Sequence, residues 1–315
     1  MPRKPRIHFP GATYHVMLRG NAGQDIFFDA SDRSRFCLLL QQGTERFGVR
    51  IHAFCLMSNH LHLALQVGEV PLSRFMQNIS FRYTQYLNRK RKTTGHLFQG
   101  RYKALLVDAD SYLLELVRYI HLNPVRAGMA NYPDEWSWSS HGAYLGRQTF
   151  PWLTTEWILG QLATEEDKAI ERYRQFVSDG LHEGHRKEFH RGSFEGRVLG
   201  DDTFIERAMA RSEQTMLRKL SVEEVMSTVA SAYDLNPEEL ADRSRNRKLA
   251  EARAMVALLV RESEGMTLTS LADCLGHELA GLSQAARRLE IRIATNAGLA
   301  EHFERVKAQL SNCQS

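Results

Sequence analysis

Three groups of side chains in this 315-residue sequence have types and spacings that could do chemistry. The sharpest is His60-Leu61-His62. In a strand alternate residues share a face, so both imidazoles would project together while Leu61 anchors the strand from the other side. Two imidazoles on one sheet face can hold one metal ion. The second group is Tyr112, Tyr119 and Asn123. A helix advances 100° per residue, so the three fall within roughly 40° of one another. A phenol and an amide oxygen four residues apart then point into the same space. Tyrosine can act as a covalent nucleophile when a metal or base assists it. A tyrosine at the edge of a helix's core stripe can equally be a packing residue. The third group runs from Arg82 to Lys103 and includes Tyr86, Arg89, Lys90, Arg91, Lys92, His96, Phe98, Arg101 and Tyr102. Such cations can follow phosphates and such rings can stack on unpaired bases.

The elements that must position these groups follow from periodicity. Residues 12–18 have strand composition. Residues 31–47 open with Ser31 and Asp32 and carry Phe36, Leu39, Leu40 and Phe47 at near-helical spacing. Residues 50–57 and 60–66 read as two strands around a tight turn at Ser58-Asn59. Residues 71–88 form a helix faced by Leu72, Phe75, Met76, Ile79, Tyr83 and Tyr86, with Pro71 in its first turn. The run Arg89-Lys90-Arg91-Lys92 is expected to be a connection, and residues 102–108 a fourth strand. Residues 110–122 form a helix with the core stripe Leu113, Leu116, Val117 and Ile120, ended by Asn123-Pro124. This order predicts an α+β fold with a ferredoxin-like layout, an antiparallel sheet with helices packed on it.

Composition sets the frame. Hydrophobic residues make up 43%, enough for a core, and no apolar run reaches membrane-spanning length. Residues 1–6 lead into no apolar stretch, which argues against a secretory signal. Cys37, Cys55, Cys274 and Cys313 fall at no metal or redox spacing, so a reduced, cytoplasmic chain is expected. Net charge is +4, but residues 1–130 carry 18 Lys+Arg against 8 Asp+Glu, leaving the rest at −6. A basic front half suggests a polyanionic partner.

Three segments taken together carry a resemblance. They are Met57-Ser-Asn-His-Leu-His-Leu63, Gly95-His-Leu-Phe-Gln-Gly-Arg-Tyr-Lys103 and Tyr119-Ile-His-Leu-Asn-Pro-Val-Arg-Ala-Gly128. In that order they resemble the single-tyrosine HUH transposases, most nearly the branch associated with repetitive extragenic palindromes (REPs). The resemblance covers roughly residues 5–145. It implies an HUH nuclease fold, His60 and His62 as ligands of a divalent metal, Tyr119 as nucleophile, and Asn123 completing the site. It also implies cleavage and rejoining of single-stranded DNA near hairpins through a 5′-phosphotyrosine, in the cytoplasm beside the nucleoid. Two histidines and an amide would also suit zinc; the resemblance favours Mg²⁺ or Mn²⁺. Arg82, Arg89, Lys90, Arg91, Lys92, Arg101 and Lys103 are the expected DNA contacts of this half. The alternative is a non-catalytic DNA-binding regulator or a retired transposase.

Residues 221–290 have periodic apolar residues with turn signals at Asn236-Pro237, Gly265 and Gly276. They resemble the C-terminal DNA-binding domain of the replication initiator DnaA, through Val229 to Leu240 and the run Arg243-Ser-Arg-Asn-Arg-Lys248. The resemblance implies a helix-turn-helix at Leu268–Gly276 and Leu279–Leu289, with Arg243, Arg245, Arg247 and Lys248 on phosphates. Where that family places acidic, histidine and threonine base-reading groups, this chain has Leu279-Ala-Gly-Leu282. The expected domains are 1–145 for the nuclease, 146–220 as a helical or irregular connection, 221–295 for the DnaA-like domain, and 296–315 as a C-terminal helix and tail.

Overall fold

The computed structural model describes residues 7–184, 186–217, 220–242, 244, 246–263 and 266–312. Residues 1–6, Arg243, Arg245, Gly265 and Cys313 lie outside the described residues, with the expectations placed on them. The chain divides into two compact units, Met1–Glu213 and Gln214–Ser315.

The first unit is built on β1 (Thr13–Arg19), β2 (Arg50–Leu56), β3 (His60–Gln66), β4 (Lys103–Val107) and β5 (Val198–Leu199). The sheet order is β2-β3-β1-β4-β5. The first four strands pair antiparallel in the expected ferredoxin-like order, and β5 joins β4 in parallel. Helices α1 (Ala30–Phe47) and α2 (Leu72–Arg91) cover one face, packing on Val16, Leu18, Leu61, Leu63 and Leu65. They cross closely at Gly43, where a Cβ would stand 2.8 Å from the Phe75 ring. Helix α3 (Ala109–His121) lies on the other face against Ala53, Cys55, Ala64, Leu105 and Val107. Its stripe Leu113, Leu116, Val117 and Ile120 is fully buried. Each such side chain contributes about 1.5–3 kcal/mol by leaving water.

Two local expectations need correction. Arg89–Arg91 form no connection: they are the last turn of α2, and Lys92 follows at φ 54°. Cations at a helix C-terminus meet its negative end, which favours extending the helix through them. Asn123-Pro124 does not stop the chain's helical path either. A further turn, α4 (Asn123–Arg126), follows α3 directly, with Pro124 in a first-turn position that needs no N–H.

The expected connection at 146–220 belongs to the first unit as far as residue 213. Helices α5 (His141–Tyr144), α6 (Glu156–Gly160), α7 (Glu166–Asp179) and α8 (Glu188–Arg191) bury Tyr144, Ile158, Tyr173, Val177 and Phe189 in the α3 layer. Backbone bonds from Leu56 N–H to Trp138 and from Ser140 N–H to Phe54 cover the outer edge of β2. Helix α9 (Asp202–Leu217) follows β5.

The second unit is helical. It comprises α10 (Val222–Ala232), α11 (Arg247–Glu262), α12 (Leu268–Leu275), α13 (Leu279–Ile293) and α14 (Ala297–Asn312) around Val225, Met255, Val256, Leu271, Ala286 and Val306. Ser221 and Glu224 form a capping box on α10. Gly276, at φ 63°, ends α12 in the left-handed region and turns the chain toward α13. Among the described residues no helix is long and apolar enough to cross a membrane.

Candidate active site

The β2–β3 turn fixes where the histidine pair begins. Met57 N–H bonds the carbonyl of His60, both Ile26 and Phe27 N–H bond that of Ser58, and Asn59 Nδ2 donates to Gly23. β3 therefore starts at His60, and its pleat sends Leu61 and Leu63 into the α1/α2 core. His60 and His62 share the opposite face, with ring centroids 5.1 Å apart.

A third imidazole joins them from the next strand. β1 and β3 pair with His15 opposite Ala64 and Met17 opposite His62, which puts His15 diagonally beside His62. The two rings stack at 5.2 Å, with His15 Nε2 2.9 Å from His62 Nδ1. The other His15 nitrogen, Nδ1, lies 2.9 Å from the carbonyl oxygen of Phe189 on α8.

Helix α3 brings Tyr119 over this cluster. Its ring lies 6.2 Å from His62 and 6.1 Å from His15. Phe189 packs on it at 4.9 Å, and the Arg126 guanidinium sits 4.6 Å from its centroid. The Tyr119 hydroxyl is 2.6 Å from His190 Nε2. Arg126 also donates to the Tyr119 carbonyl, as does Asn123 Nδ2 at 2.9 Å. Asn123 thus caps the end of α3, and none of the described hydrogen bonds uses its amide oxygen. No described contact joins Asn123 to either histidine. Tyr112 is half-buried and makes no described ring contact with the cluster.

Burial sets the protonation of these groups. Desolvation lowers His15 to about 3, with the nearby His190 and Lys103 adding to the effect. Desolvation likewise lowers His62 well below its ordinary value, and His60 to a lesser degree. All three rings are neutral at pH 7, the form that ligates a metal. Desolvation raises Tyr119 above the ordinary phenol value, although Arg126 pulls the other way.

Among the described residues no three His, Cys, Asp or Glu groups converge as a ready-made metal cage. The amide of Asn123 has no described contact with the pair, but the two imidazoles themselves have the chemistry to ligate a divalent cation. His62 Nδ1 is taken up by His15 and His60 Nδ1 by Asn59 Oδ1 at 2.7 Å. Each ring keeps Nε2 for a ligand, and each has the outer partner that ligating histidines usually need.

The expected DNA-contacting cations behave differently from one another. Arg89, Arg91, Lys92, Arg101 and Lys103 are exposed, although Arg91 stacks 3.7 Å over Phe28. Lys90 is committed to Asp29 and Asp32, both at 2.7 Å, and Arg82 bonds Gln42. In the second unit Arg247 and Lys248 are exposed at the start of α11, while Leu279 stands exposed at the start of α13. Sequence reasoning missed His15, His190 and Arg126. Arg126 lies within a quoted motif, and His15 offered an isolated histidine on a strand; His190 offered no signal.

Comparisons with known proteins found three similarities. Residues 8–123 match the family described as "Transposase IS200 like". The chain is 24% identical over 123 residues to a Haemophilus influenzae protein described as a REP-associated tyrosine transposase, covering 35% of this chain and 69% of the relative. A solved structure of a REP-associated tyrosine transposase bound to a REP hairpin aligns with a TM-score of 0.42 and 17% identity, over 48% of this chain and 89% of that one. The segment that carries His15, His60, His62, Tyr119 and Asn123 is therefore the segment that matches the IS200-like transposase family.

Proposed function

We propose that this protein is a metal-dependent transposase-type endonuclease that cleaves and rejoins single-stranded DNA near hairpins, holding the broken end on Tyr119. The observation that carries this reading is the convergence of the His60–His62 pair and the Tyr119 phenol, from two separate elements, on one sheet face. A non-catalytic binder would need none of it.

Tyr119 Oη attacks phosphorus, the P–O3′ bond breaks, and the products are a 5′-phosphotyrosine and a 3′-hydroxyl. The new ester keeps a phosphodiester bond, so a later 3′-hydroxyl can reverse the step without ATP. A buried phenol must lose its proton as it attacks, and His190 Nε2 is placed to take it. When bound at His60, His62 and Asn123, Mg²⁺ or Mn²⁺ would offset charge developing on the scissile phosphate. Arg89, Arg91, Lys92, Arg101 and Lys103 follow the backbone beyond the site. A cavity of about 490 Å³ between α2 and the 96–102 loop, with Phe81, His96, Phe98 and Tyr102 in its wall, can take an unpaired base. Arg243, Arg245, Arg247 and Lys248 add phosphate contacts without base reading.

The test is incubation of labelled single-stranded hairpin DNA with the protein and Mn²⁺, followed by a denaturing gel. A protein-linked DNA band is expected, and none when chelator is present from the start of the reaction. Equal cutting of a perfect duplex would contradict the single-strand reading.

A further inference from the structure

His15 has both ring nitrogens engaged, and its two partners differ in kind. The Phe189 carbonyl oxygen, 2.9 Å from Nδ1, can only accept, so Nδ1 carries a proton. The ring is fully buried, and neither of its described hydrogen bonds is to a carboxylate. A second proton would leave an uncompensated buried charge. Nε2 is therefore a bare lone pair, and the 2.9 Å contact with His62 is a bond donated by His62 Nδ1–H. His62 is also buried and neutral, so its one proton is spent on His15 and its lone pair sits on Nε2.

We infer that His15, oriented by the Phe189 carbonyl, is a positioning residue that locks His62 in the tautomer whose Nε2 faces the metal site. The inference rests on the metal role proposed for His62. It also makes α8 part of the site, although α8 lies beyond the segment matched by the transposase family. Phe189 holds His62 through His15, and the next residue, His190, holds the Tyr119 hydroxyl. One short helix thus sets the ligand and the nucleophile relative to each other. The β1–β3 register makes the relay possible, because only a residue on the face of Met17, two positions along β1, comes diagonally beside His62.

The experiment has two readouts on the full chain. First, ¹⁵N NMR of histidine-labelled protein, with His62 assigned by substitution, reports its tautomer in the absence of metal. Protonated Nδ1 with bare Nε2 is expected; the opposite tautomer overturns the relay. Second, Mn²⁺ binding is measured by calorimetry on His15→Phe and His15→Gln. Phenylalanine keeps the ring packing and removes the acceptor, so binding should weaken about 10- to 100-fold, the usual loss for an outer partner of a ligand. Glutamine can accept from His62 and donate to Phe189 through one amide, and should bind within a few-fold of the parent. A folded His15→Phe variant that binds Mn²⁺ as the parent does overturns the inference. If His15→Phe fails to fold, the tautomer of the parent protein decides. If the parent binds no Mn²⁺, the metal reading of His60 and His62 fails, and the tautomer still tests the relay by itself.

Discussion

Replacing His190 by glutamine separates holding the nucleophile from deprotonating it. The Tyr119 hydroxyl lies 2.6 Å from His190 Nε2. A glutamine oxygen can accept the same hydrogen bond but cannot take the proton at neutral pH. Tyr119 starts from an ordinary value of 10.0, and burial raises it. At pH 7 less than about one molecule in a thousand would then carry the phenolate. A positioned base usually contributes about 10²- to 10⁴-fold, in line with that deficit. We therefore expect His190→Gln to slow adduct formation about 100- to 1,000-fold at pH 7 with Mn²⁺ binding unchanged. Its rate should climb about tenfold per pH unit as phenolate accumulates. Single-turnover reactions with excess protein, quenched in denaturant and resolved on a gel, read this directly. A His190→Gln rate equal to that of the parent at pH 7 would refute the reasoning, as would an equal pH profile.

His60→Ala and His62→Ala should each remove most Mn²⁺-dependent cleavage, and full activity in the double variant would remove the metal site. Asn123→Ala should cost less activity, because water can fill a ligand position, and about 1 kcal/mol of stability from the lost bond to the Tyr119 carbonyl; both are read from cleavage rates and urea melts. Burial lowers His15 to about 3 and His52 to about 4 from an unfolded value of 6.5. Below pH 6.5 the unfolded chain takes up protons that these rings refuse, so metal-free stability should fall with pH by about 1.4 kcal/mol per unit for each ring until the folded value is reached. Urea melts at pH 7 and pH 5.5 that coincide would contradict those buried neutral rings. Removing Arg89, Lys92 and Arg101 together should flatten the salt dependence of single-strand binding by about 2 in log–log slope. Lys90→Ala should instead lower the melting temperature, because Lys90 is held by Asp29 and the buried Asp32. A Lys90→Ala slope change equal to that from an exposed cation would reverse this division.

The parts of the site legible in the sequence are those fixed by one element's own period. His60 and His62 share a face because strands alternate, and Tyr119 follows the α3 stripe by a helical angle. The strand and helix order also gave the ferredoxin-like sheet. What stayed hidden depends on how distant elements meet. His15 reaches His62 only through the β1–β3 register, which no local pattern in residues 12–18 encodes. Phe189 and His190 lie in a charged stretch without periodicity, yet α8 folds back onto α3. Lys90 reads as a free cation in its basic run because its partners, Asp29 and Asp32, begin another helix. The same run looked like a connection because local charge says nothing of the helix dipole that it completes.

The central claim is that Tyr119 becomes covalently joined to the 5′ end of a cleaved strand. Its most direct test is to trap the adduct on single-stranded hairpin DNA with Mn²⁺, digest it, and locate the nucleotide-bearing peptide by mass spectrometry. The account predicts a phosphodiester on Tyr119, with Tyr119→Phe retaining DNA binding and forming no adduct. A nucleotide on Tyr112 or elsewhere, or a Tyr119→Phe protein that still forms the adduct, would contradict it.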